Sequence, residues 1–251
     1  MKHTKHEDRT KSGTSADRWR RIGHVLFVVA DIVAISAAMF GVWWWYVNRV
    51  PNVTVALPPT PSPNGFDTIV AAYSKIVDSN VVNDAVSHYS KRTYSLPEQE
   101  RVLRENGPAL KMIHDALSLP IQVPIANEAS NSGDHSFAYM RQSARLLDFA
   151  GHVCEEENRF GQAADYYLQA MELGVALPTK GTLVSKLLGN SCEAFGHRGL
   201  NKVAHHLSAV EARSAVQRLE TMEGHRVTFS QTLETDKTVT QAEFLVLNYK
   251  I

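Results

Sequence analysis

The sequence predicts an all-α protein, one transmembrane helix followed by an extracytoplasmic α-helical domain, and three features carry that prediction. Residues Ile22 to Val47 form a 26-residue, mostly apolar run. Beyond residue 66, apolar residues recur at three- and four-residue spacings, the period of one face of an α-helix. No stretch sustains the alternation of a half-buried strand, apart from weak signs at Val53 to Leu57 and Phe244 to Leu247.

Crossing a hydrocarbon core takes about 20 apolar residues at about 1.5 Å rise each, so the run 22–47 is long enough to span with some tilt. Its far end carries Trp43, Trp44, Trp45 and Tyr46, residue types that settle at the membrane–water interface. A cleaved signal peptide has an apolar region of only about 7–15 residues ending in small residues, so a retained signal anchor, crossing once, is the better reading. Lys2, Lys5, Arg9, Lys11, Arg18, Arg20 and Arg21 precede the run, and Arg49 is the only basic residue in the twenty that follow. Lys and Arg stay on the cytoplasmic side. The basic arm 1–21 is therefore expected in the cytoplasm, disordered over its polar first 17 residues. Residues 48–251 are expected outside it, on the periplasmic side in a bacterium.

Asp31 interrupts the apolar run. A carboxylate at a helix centre costs about 2.5–3.5 kcal/mol on insertion scales. If the hydrocarbon core ends near Trp43, Asp31 lies about 10 Å inside it; if a shorter core ends at Tyr46, Asp31 lies at its edge. Two readings follow, a polar contact with a partner helix through His24 or Ser36 of another chain, or a protonated or interface-reaching side chain.

Net charge is zero and the sequence pI is about 7.2, which excludes a global attraction to nucleic acid. The basic arm can touch anionic lipid, an ordinary accompaniment of a membrane anchor. The expected partners are thus the membrane and another protein, with no nucleic acid and no cofactor.

From residue 48 to residue 65 the chain carries Pro51, Pro58, Pro59, Pro61 and Pro63 without helical pattern. Such a segment extends at about 3.1 Å per residue and acts as a semi-rigid stalk. Residues 66–251 are enough for one domain with its own core. Asp67 is placed to N-cap a helix through Ile69, Val70, Tyr73, Ile76 and Val77. Ser95 with Glu98 reads as a capping box, with Pro97 in the first turn where a missing N–H costs nothing. Val102, Leu103, Leu110, Ile113 and Leu117 make an apolar stripe that Asn106-Gly107-Pro108 should kink or split. A loop is expected over 119–135, then helices over 136–158, 160–173 and 179–195, and a further helix to 223 behind a second capping box, Ser208 and Glu211. The tail 238–251 reads as a final helix, a strand, or an altered end of a larger domain.

Between Ala144 and Leu177 the helix pair resembles a tetratricopeptide repeat, a 34-residue helix–turn–helix unit. Leu147, Gly151, Ala163, Tyr167 and Ala170 stand at the spacing where that family uses a large apolar residue, a small one, alanine, an aromatic and alanine. Small residues let two helices approach, and the aromatic fills the gap between adjacent repeats. Ala150, Cys154 and Asn158 depart from the pattern, and the closing proline comes late, at Pro178. Gly151, Cys154, Glu155 and Gly161 recur 38 residues later as Gly189, Cys192, Glu193 and Gly199, marking a degenerate second unit at about 182–211. The resemblance implies stacked helix hairpins and a partner held on their surface, with helices 67–118 as a cap.

Two cysteines are too few for a disulfide framework. Equivalent residues on stacked helices lie about 8–10 Å apart, beyond the roughly 4.4–6.8 Å between the Cα atoms of a disulfide, so Cys154 and Cys192 are expected as buried free thiols. The eleven histidines form no His-Glu-x-x-His, and the chain has no Cys-x-x-Cys, Gly-x-Ser-x-Gly or Gly-rich phosphate loop. The nearest constellation is Asp148, His152 and Glu155 or Glu156, at i, i+4 and i+7 or i+8 of one helix, which can present oxygen and nitrogen ligands together. His205 and His206, being adjacent, point about 100° apart and cannot readily share an ion. Glu155, Glu156 and Glu157 read as a solvated face.

The leading reading is an interaction protein, a membrane anchor and stalk carrying a helical-repeat surface, rather than an enzyme. The rival is an enzyme or enzyme subunit with a metal-assisted site built from Asp148, His152 and the loop 120–135.

Overall fold

In the computed structural model, which describes residues 15–47, 59–87, 94–124 and 136–249, all the regular structure is helical. It divides into two compact units, Met1–Thr54 and Val55–Ile251.

The first unit contributes one helix, α1 (Ser15–Val47), about 50 Å long at 1.5 Å per residue. Its most apolar window, Val29–Tyr46, is long and apolar enough to cross a membrane, and none of it is buried within the protein. A helix apolar all round is stable only where its surroundings are apolar too. The helix starts earlier than the charge pattern suggests. Ser15 to Arg21, expected in a disordered arm, are helical, because Ala16, Arg18, Trp19, Arg20 and Arg21 include no helix breaker and extend a ladder already nucleated downstream. Residues 1–14 lie outside the described residues, as do 48–58 of the stalk and 125–135 of the expected loop.

The second unit is built on three consecutive antiparallel helices, α6 (Ser136–Glu156), α7 (Phe160–Ala176) and α8 (Leu183–Val203). Ahead of them come α2 (Gly65–Tyr73), α3 (Ser79–Ser87), α4 (Leu96–Glu105) and α5 (Gly107–Leu117). After them come a 3₁₀ turn (Ala204–His206), α9 (Ala209–His225) and α10 (Phe229–Tyr249).

Helices α2 to α5 pack on α6, burying Val82, Val86, Val102 and Ile113 against Leu146, Phe149 and Val153. Their boundaries differ instructively from the apolar pattern. The N-cap of α2 is Asn64, not Asp67. The Asn64 carboxamide accepts from the Phe66 amide at 3.1 Å, accepts from the Gln122 amide at 3.1 Å and donates to the Gln122 carbonyl at 2.8 Å. One buried side chain thus fixes both the start of α2 and the segment after α5. The helix expected to run on to Val77 stops at Tyr73, and Asn106 holds the chain beyond it. Asn106 is fully buried; it accepts from the Val77 amide at 3.0 Å and donates to the Val77 carbonyl at 3.1 Å. The same residue ends α4, so Asn106-Gly107-Pro108 splits the helix as expected. Ser95 stands at the N-cap of α4 without a side-chain cap bond; the capping box expected with Glu98 is not formed, and the Glu98 amide bonds the Ser95 carbonyl instead.

The turn from α6 to α7 places Asn158 at φ 61°, a left-handed conformation that asparagine tolerates better than most residues. The Arg159 amide closes that turn on the Cys154 carbonyl at 2.8 Å. Helix α8 then runs unbroken through Gly196 and Gly199. This corrects the degenerate repeat expected over 182–211, whose turn would fall near Gly196, and it moves the helix expected to end at Phe195 eight residues further on. The capping box at Ser208 and Glu211 is formed. A further one, missed in the sequence, starts α10: the Thr228 amide donates to Gln231 at 2.9 Å and the Gln231 amide to the Thr228 hydroxyl at 3.3 Å. Phe244 to Leu247 lie within α10, not in a strand.

Candidate functional site

The α6–α7–α8 packing is set by small residues. On α7, Ala163, Tyr167, Ala170 and Gly174 follow at spacings of four, three and four; on α8, Gly189, Cys192, Gly196 and Gly199 follow at three, four and three. Two such stripes face each other antiparallel. A Cβ on Gly174 would sit 2.5 Å from the Gly189 carbonyl, and one on Gly189 or Gly196 would strike the carbonyl of Gly174 or Tyr167. The backbones therefore touch where most helix pairs are held about 8–10 Å apart by side chains. Tyr167 is the aromatic residue of these stripes. Its ring fills the space left by Gly151 on α6 and Gly199 on α8, and its hydroxyl donates to Glu155 at 2.9 Å. Ala163 is buried in the same apolar cluster, and Leu147 and Ala170 in the neighbouring one.

Both cysteines are buried and unbridged. Burial raises the Cys154 thiol and pushes Cys192 up to about 12, since a thiolate there would lose its water. The native protein is expected to resist iodoacetamide at about pH 8.5, where a free cysteine is largely reactive. Denatured, it is expected to take two adducts by intact mass; labelling of Cys192 in the native state at the rate of a free thiol would show that the packing of α6 and α7 against α8 does not shield it. The folded state also keeps the Cys192 proton more tightly than the unfolded state. Its contribution to stability is complete below 9.0 and is lost as pH rises toward about 12.

Asp148, His152 and Glu155 do share a face of α6, but they are drawn to different partners. Asp148, 1% exposed, accepts from Arg198 of α8 at 2.8 Å. Glu155 accepts from Tyr167. The His152 ring lies 3.9 Å from Glu155 and 4.0 Å from Glu156. Among the described residues no three His, Cys, Asp or Glu side chains gather to hold a metal. Asp148 and Glu155 are each engaged in holding α6 to another helix, and residues 125–135 of the loop included in the expected metal-assisted site lie outside the described residues. His206 stacks on Phe160 at 4.2 Å and lies tilted against His205, also at 4.2 Å, a surface contact rather than a chelate. Asp31 lies on α1 two residues inside the edge of the window Val29–Tyr46, about 3 Å along the axis.

What the sequence did not reveal is a cleft of about 690 Å³ between the end of α5, the segment 118–122, the second half of α7 and helix α9. Leu117, Ile121, Val175 and Met222 give it apolar walls, and Pro61 at the end of the stalk lies at it. Four charged or titratable residues line it, Glu172, Lys180, Arg218 and His225. Arg218 is ion-paired within the protein, bonding Glu172 at 2.8 Å and Asp165. These lining residues are scattered over some 160 positions of the chain, and no local spacing joins them.

Comparison of the chain with protein-family models, with curated proteins and with solved structures finds no match.

Proposed function

We propose that this is an interaction protein held at a membrane by α1, whose helical unit carries a partner-binding surface on the far side from the cytoplasm. One observation carries the reading. The hairpin α6–α7 buries Leu147, Gly151, Ala163, Tyr167 and Ala170, and the Tyr167 ring bridges the small residues of the two flanking helices, the packing that a tetratricopeptide-like unit implies. Such units bind through extended helical surfaces rather than through a reactive pocket. The retained anchor is favoured over a cleaved signal by the length of the apolar run and its aromatic end. The charge difference across it favours a cytoplasmic N-terminus.

The test is cross-linking in intact cells followed by purification of the full chain from solubilised membranes. The expected result is full-length protein in the membrane fraction, a C-terminal tag accessible from the non-cytoplasmic side, and a stoichiometric protein partner. A processed, soluble product would overturn the anchor. A full-length protein that purifies alone, at every level of cross-linker, would overturn the partner.

A further inference from the structure

We propose that the cleft between α5, α7 and α9 is the docking site for that partner, and that it takes an apolar peptide segment bearing carboxylates. This rests on the interaction reading above and names the chemistry of its site. Three observations converge. The walls are apolar, so a ligand gains by burying apolar side chains there. With Arg218 held by Asp165 and Glu172, the remaining basic side chains at the cleft are the Lys180 ammonium and the His225 imidazole. Both are exposed and neither is ion-paired among the described residues. The Gln122 side chain, 3% exposed and lining the same cleft, keeps an amide nitrogen with no acceptor among the described residues. An unmet amide donor and an unpaired ammonium lining one cleft are complementary to carboxylate and carbonyl oxygens, not to a basic segment.

Lys180 adds a fourth observation. Its φ is 56°, a left-handed conformation that glycine adopts at no steric cost and a lysine does not. The strain places an ammonium at the cleft where a glycine would leave none. A substitution can thus remove the charge without harming the fold.

Three fluorescein-labelled dodecapeptides test the proposal on the full chain in detergent micelles: one alternating glutamate and leucine, one alternating lysine and leucine, one alternating glutamate and serine. The Glu/Leu peptide alone is expected to bind, with an affinity that falls as salt is raised. Lys180→Gly is expected to melt at the same or a higher temperature while weakening that peptide several-fold, and Lys180→Glu to weaken it at least about tenfold, the effect of about 1.4 kcal/mol. Equal binding of the Lys/Leu and Glu/Leu peptides, no binding of either, or an affinity untouched in Lys180→Glu would each overturn the proposal. The cell-derived partner separates this outcome from the broader reading. If it co-purifies equally with wild type and Lys180→Glu, the interaction protein stands and the cleft is not its site.

Discussion

Replacing Tyr167 by alanine is expected to destabilise the helical unit by about 3–5 kcal/mol, the usual cost of emptying an aromatic site in a core. The ring is 1% exposed and fills a space that two glycines leave open, Gly151 on one side and Gly199 on the other. Helices α7 and α8 already meet backbone to backbone at Gly174, Gly189 and Gly196 and cannot collapse far into the void. Tyr167→Phe should cost only about 1 kcal/mol, for the hydroxyl bond to Glu155. The sharper readout is a double-mutant cycle with Gly199→Ala. In the wild-type background a methyl there collides with the Tyr167 ring, and overpacking of that kind costs about 1–3 kcal/mol. In the Tyr167→Ala background the methyl enters the cavity, and alanine gains about 1 kcal/mol of helix propensity over glycine, so the same change should be neutral or stabilising. Urea unfolding of the full chain in detergent measures all four corners. Equal costs for Gly199→Ala in the two backgrounds would mean that the glycine does not exist to seat the ring.

The same seam shows what could be read from the chain and what could not. Tyr167 between small residues was legible, because a period of helical spacing with alanine and glycine has few uses other than close approach. The helix expected to end at residue 195 runs on through Gly196 and Gly199. A glycine near the end of an apolar pattern resembles a helix stop, yet both are interior residues of α8 and face α7; only the partner helix distinguishes the two uses. Asn106 was legible as a helix break but not as the clamp on Val77, since that bond crosses 29 residues. Asp67 and Ser95 were over-read for the opposite reason. A capping pattern states that a bond is possible, and Asn64 and the Ser95 carbonyl were better placed. The cleft escaped altogether because its residues meet only after α9 folds back across α7.

The return of α9 depends on charge more than on burial, which makes Arg226 the second large expected effect. Only Ala215 and Met222 of α9 are buried apolar residues, too few to dock a 17-residue helix firmly. Instead Arg218 reaches Asp165 and Glu172 on α7. Arg226, at the C-cap, grips Glu193 of α8 through its two terminal guanidinium nitrogens, at 3.0 and 2.8 Å, and Glu223 through Nε at 2.7 Å. Glu193 is buried beside Gly174, where a Cβ would lie 2.5 Å from its Cγ. Arg226→Ala leaves that carboxylate without its bidentate partner. Breaking a buried pair costs about 3–5 kcal/mol, and the lower end applies because the guanidinium is about one-third exposed to water. Lysine should not rescue it, since an ammonium cannot reproduce the fork. The double change Glu193→Met with Arg226→Met removes both charges and should recover most of the loss. Because α9 forms one wall of the cleft, Arg226→Ala should also speed amide exchange across residues 209–225 while α6 and α7 stay protected. Uniform exchange throughout the unit would mean instead that α9 unfolds only with the core. A coupling that is local ties the stability of one ion pair to whether the cleft keeps its shape.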